Sequence, residues 1–166
     1  MIVAIAAFVG MLLGIFNFFR GLSKDKVKLI VIPKAVMKRN RNSVTGVMGF
    51  FLSDQEFNET QELFAIEITN NSNFPITINE VGFKLKKKKN KLAIPIPELG
   101  DKGPWPRKLE HGDSVTTYGT IKSILNNTKM NDIDRAYAQT TAGKVYHGKS
   151  KALKLLINYV ENNKKL

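Results

Sequence analysis

A chain of 166 residues with 43% hydrophobic content and a net charge of +12 is long enough for one packed domain and too apolar for wholesale disorder. The absence of cysteine excludes disulfides, thiolate metal sites and cysteine nucleophiles. Basic blocks at 24–46, 84–108 and 144–166 alternate with a stretch at 47–83 that carries acids and no base, a pattern suited to contact with an anionic surface.

The chain opens on MIVAIAAFVGMLLGIFNFFRGLSKDKVK, whose residues 2–19 are apolar apart from Asn17. As a helix that run reaches roughly 27 Å, near the thickness of a bilayer's hydrocarbon core. No basic residue precedes it and no small-residue cleavage pattern follows, so the reading is a retained transmembrane helix over 1–20 rather than a cleaved signal. Arg20, Lys24, Lys26 and Lys28 follow on one side only. Such an asymmetry predicts a single pass in the cell (inner) membrane, N-terminus out, with the C-terminal domain cytoplasmic. Ala6, Gly10 and Gly14 recur at i, i+4, i+8, a ridge of small residues through which two such helices could pair into a homo-oligomer.

A basic juxtamembrane segment over 21–46 comes next and includes a first strand, KVKLIVI at 26–32, closed by Pro33. KAVMKRNRNSVTG reads as a basic loop and VMGFFLS as a second strand. ELFAIEITN alternates, with Phe64, Ile66 and Ile68 on one face and Ala65, Glu67 and Thr69 on the other, as in a half-buried antiparallel strand. NNSNFP is a turn, and ITINEVGFKLK a strand with an expected kink near Glu80 and Gly82. Lys86, Lys87, Lys88 and Lys89 then form a hairpin tip before LAIPIP, whose prolines suit an edge strand. GDKGPWP reads as a rigid loop in which Trp105 either plugs the open end of the core or anchors an interface. DSVTTYGTIKSI follows the turn LEHGD as a further strand, and RAYAQTT and KVYHG make a hairpin about a Thr-Ala-Gly turn. Short strands at this spacing favour a β-sandwich body over 47–149. From Ser150, Leu153, Leu156, Ile157 and Val160 make one apolar stripe, predicting an amphipathic helix over 150–166. That helix either packs on the sandwich or, through Lys151, Lys154 and Lys164 on its other face, meets a partner or a lipid surface.

The stretches FAIEITNNSNFPITINEVGF, PWPRKLEHGDSV and RAYAQTTAGKVYHG make the chain resemble a group of small bacterial, N-terminally membrane-anchored proteins with an immunoglobulin-like sandwich, whose function is uncharacterised. The resemblance implies a mainly β fold: an N-terminal transmembrane helix, an immunoglobulin-like antiparallel β-sandwich and a C-terminal amphipathic helix. It implies placement at a membrane and brings no catalytic residues with it.

Chemistry finds little support in the residues themselves. His111, Asp113 and Ser114 have the residue types of a hydrolytic triad, but lie within four positions and without a nucleophile elbow, so they read as a turn. Asp132 and Asp134 form a D-x-D pair without an EF-hand's other ligands, and no phosphate-cradling glycine loop is present. The N-x-[ST] triplets at Asn58, Asn70 and Asn126 would matter only in a secreted chain. No catalytic, cofactor or metal residues are expected. The leading expectation is a non-enzymatic, membrane-tethered binding or scaffolding module that contacts anionic lipid headgroups through Arg20, Lys24, Lys26, Lys28 and the four lysines at 86–89, together with a protein partner. The tetralysine reads equally as a solvated face, and nucleic acid is disfavoured because the basic runs lack interleaved aromatics. The rival expectations are a membrane-active oligomer of the exclusion or lysis-accessory type and a secreted or surface-displayed sandwich.

Overall fold

The computed structural model describes residues 2–24, 26–39, 49–57, 63–86, 91–94, 97–121 and 132–163, with side chains described over 7–21 of the first segment. Among the described residues, helix α1 (Ile2–Lys24) precedes ten strands: β1 (Leu29–Arg39), β2 (Gly49–Ser53), β3 (Leu63–Asn70), β4 (Ile76–Leu85), β5 (Lys91–Ile94), β6 (Glu98–Leu99), β7 (Arg107–Leu109), β8 (Ser114–Thr120), β9 (Ile133–Thr140) and β10 (Val145–Gly148). Helix α2 (Lys151–Asn163) closes the described chain. One antiparallel sheet has the order β2-β1-β3-β8-β6 and the other β10-β9-β4-β5, with β7 also on β4.

The membrane span requires correction. Among the described residues no helix is long and apolar enough to cross a membrane. The polar Asn17 and the charged Arg20 interrupt the apolar run within α1. The single-pass placement in the cell membrane, with the N-terminus out and a cytoplasmic body, rested on that span and falls with it.

The core lies between the two sheets, because alternate residues of each strand point inward. Phe64, Ile66 and Ile68 of β3 are buried against Ile78, Val81 and Phe83 of β4 and Ala136 and Ala138 of β9. The Phe64 and Phe83 rings meet across the layers with centroids 5.7 Å apart, a tilted pair worth about 1 kcal/mol beyond its area. The inward set on β4 steps by two from Ile76 to Ile78 and by three from Ile78 to Val81. A register shift between Ile78 and Glu80 absorbs the extra residue, so the expected kink is a β-bulge just before Glu80.

The first strand does not stop at Pro33. β1 pairs β3 over residues 29–35 and β2 only over 35–39, so Pro33 sits where β2 asks nothing of its missing N–H. β5, the strand portion of LAIPIP, lies at an edge of its sheet as expected, and it ends before Pro95. Trp105 is half-buried against the core, in keeping with a plug. Leu153, Leu156 and Ile157 of α2 are buried, and Ser150 Oγ accepts the Leu153 N–H as an N-cap, so this helix packs on the sandwich.

Candidate functional site

β4 runs from the β3–β4 turn at one end of the body to Leu85 at the other. Since Phe83, Val81, Ala136 and Ala138 point into the core, Lys84, Gly82, Arg135 and Tyr137 lie on the outer face of the second sheet. The register sets Lys84 directly opposite Lys91 of β5 on one side and Arg135 of β9 on the other. Three cations thus stand in one row across three adjacent strands. Like charges directly opposite one another repel and are partly offset here. Glu80 lies 3.5 Å from Lys91 Nζ, and Asp134 accepts from Arg135 Nε at 2.5 Å. Among the described residues Lys84 has no ion-pair partner.

One step along the face, Tyr137 is fully buried although it points outward. Its hydroxyl donates to Glu80 Oε1 at 2.6 Å, and Lys91 Nζ lies 5.1 Å from its ring centroid. Burial, then the bond to Glu80, pushes its hydroxyl pKa far up, so it stays protonated. Gly82, opposite Tyr137, leaves room that a side chain would take: a Cβ there would meet the Leu92 carbonyl oxygen at 2.1 Å. His147 of β10 pairs with Tyr137, and its pKa is lowered by burial first, then by Lys84 and Arg135, against an opposing effect of Asp134. The cations on this face thus add to burial in disfavouring the charged imidazole.

At the end of β4 a groove of about 280 Å³ lies between the sheet and α2, lined by Lys86, Asp134, Lys149 and Lys154 together with the apolar Ile133, Leu153 and Ile157. Asp134 there takes Lys149 Nζ at 2.7 Å as well as Arg135, and the bond to Lys149 chiefly lowers its pKa. A second groove of about 280 Å³ is apolar, lined by Val36, Phe50, Phe51, Leu52, Leu63 and Tyr118 beside edge strand β2.

The residues expected to contact lipid do not come together. Arg20 is exposed on α1, and Lys26 and Lys28 are exposed where the chain enters β1. The Lys28 backbone N–H bonds Ser72 Oγ in the β3–β4 turn, which fixes that pair at the turn end. Lys86 is exposed at the other end of β4, roughly 33 Å away along the strand. Lys87, Lys88 and Lys89 lie outside the described residues, as does the Lys24 side chain. On α1, Gly10 and Gly14 are exposed with nothing within 4 Å of a Cβ built on either, and the Ala6 side chain lies outside the described set.

The candidate triad disperses. His111 Nδ1 donates to the Ser72 carbonyl at 2.7 Å, Asp113 accepts the Glu110 N–H, and Ser114 shares a hydroxyl contact with Thr69. Asn70 is fully buried, its amide donating to the carbonyls of Phe74, Leu109 and Glu110 and its Oδ1 accepting the Ser72 N–H. That amide is a structural pin with no access for a glycan; Asn58 and Asn126 lie outside the described residues. The cation row escapes a reading of the sequence because Lys84, Lys91 and Arg135 become neighbours only through strand register. The one signal within reach was the outward phase of Lys84, set by the buried Phe83 beside it. Compared with family models, with curated proteins and with solved structures, the chain matches none of them.

Proposed function

We propose that this protein is a non-enzymatic binding or scaffolding module that adheres to an anionic lipid surface at the α1 end and presents its β body to a protein partner. The observation that carries this reading is the juxtaposition at that end. Phe8, Val9, Leu12, Leu13, Ile15 and Phe16 are exposed around α1, an apolar surface that calls for an apolar cover. Arg20, Lys26 and Lys28 follow where the chain enters the body. Bases beside an anionic lipid leaflet contribute about 1 kcal/mol each, and salt screens them. The reading requires adhesion to the lipid surface and no passage across it.

The immunoglobulin-like character of the body belongs to the same proposal. The orders β1-β3-β8-β6 and β10-β9-β4-β5 correspond to strands A-B-E-D and G-F-C-C′ of such a sandwich, with β2 as an added edge. Domains of that kind commonly serve recognition, and this warrant is one of analogy.

Co-sedimentation of the full chain with vesicles tests the lipid contact. Anionic vesicles should retain it more strongly than zwitterionic ones, and Lys26→Glu with Lys28→Glu should weaken retention about tenfold at low salt. Equal retention by both vesicle types would remove the electrostatic part of the proposal. Cross-linking in the same samples reads self-association, for which the uncovered Gly10 and Gly14 are the favoured contact.

A further inference from the structure

We propose that the outer face of the second sheet, with the groove between its end and α2, docks an acidic segment of a protein partner. This rests on the binding-module reading and supplies the chemistry of the partner. Lys84, Lys91 and Arg135 form a row whose like charges oppose one another directly, an arrangement that strand pairing alone disfavours. Lys86, Lys149 and Lys154 line the groove, and Asp134 bridges Lys149 there to Arg135 of the row. Among the described residues, Glu80, Asp132 and Asp134 are the carboxylates beside them, three against six cations. A ligand that brings carboxylates to Lys84 relieves repulsion that the fold itself does not.

The shape selects among anions. The groove is concave, so a carboxylate side chain can enter it while a flat headgroup layer cannot. Lys84 also lies toward the Leu85 end of β4, whereas Lys28 is bonded to the β3–β4 turn at the other end of that strand. Nucleic acid would need an aromatic platform for its bases, and Tyr137, the aromatic residue beside the row, is fully buried. Adjacent strands place the three cations about 4.8 Å apart, a spacing that an extended acidic chain can follow.

The test is fluorescence anisotropy of a short labelled oligoglutamate peptide with the full chain in a zwitterionic detergent, at low and raised salt. The wild type should bind with an affinity that falls as salt rises. Lys84→Met with Arg135→Gln should weaken binding about tenfold, and Lys144→Gln, at the opposite end of β9, should leave it unchanged. Lys154→Glu, an exposed change on α2, should weaken binding without touching the sheet. Lys84→Met should leave the thermal midpoint equal or raised, because it removes a repelled charge; a structural lysine would lower it. Absence of peptide binding by the wild type, or equal binding by the Lys84→Met/Arg135→Gln variant, would overturn the proposal. So would loss of single-stranded DNA or anionic-vesicle binding in that variant while peptide binding persists. Failure of the lipid reading looks different: vesicle retention is lost or unselective while peptide binding stands.

Discussion

Asn70 carries more of the architecture than its place in an asparagine-rich turn suggests. Its side chain satisfies three carbonyls and one N–H, while its backbone N–H bonds Asp113 and its carbonyl accepts from Gly112. One residue thus ties the β3–β4 turn to the β7–β8 turn. Asn70→Ala leaves those buried groups unpaired and should cost about 3 kcal/mol, read from the urea midpoint of unfolding. Asn70→Asp should cost more, since a carboxylate would face three carbonyl oxygens. NNSNFP is legible as a turn from composition alone. That Asn70 is the member turned inward is not, because its acceptors come from segments as far as 40 residues away.

At the scale of elements, strand identity is set locally and strand company is not. The alternation of ELFAIEITN fixes which side of β3 is buried, and the burial follows it. The passage of β1 through Pro33 depends instead on where β2 stops pairing. The seam between the layers is likewise a matter of company. A Cβ on Gly148 of β10 would stand 1.5 Å from the Val31 carbonyl oxygen of β1. Gly148→Ala should force the two strands apart and destabilise the fold by about 3 kcal/mol, measurable as a lower thermal midpoint. In the same variant, amide exchange in β1 and β10 should speed up before that of β3 and β4.

The molecule as a whole is cation-rich, with a net charge of +12. His147 and Asp134 make the charge around the row measurable through pH. The His147 pKa is lowered by burial and by Lys84 and Arg135, so the folded state resists its protonation. Stability should therefore fall as pH drops through the ordinary value of 6.5 and level off below the folded one. Asp134 is held ionised by Lys149 and Arg135, so its contribution stands above 3.8 and is lost as pH falls through its lowered value. Unfolding midpoints across acid pH should show both steps. His147→Gln should remove the upper one, and Lys84→Met should shrink it by raising the His147 pKa, read by NMR titration.

The sequence by itself determined the strand-rich body, the inward face of β3, the turns and the apolar stripe of α2, because alternation, glycine and proline act within a few residues. It also made plain that an apolar helix precedes a basic body. Tertiary structure decided what those pieces face. It parted Lys28 from Lys86, drew Lys84, Lys91 and Arg135 into one row, and left no described helix able to cross a membrane. The physical reason is that charge adds through space, and spatial neighbours in a sheet are chosen by register, which no local pattern contains.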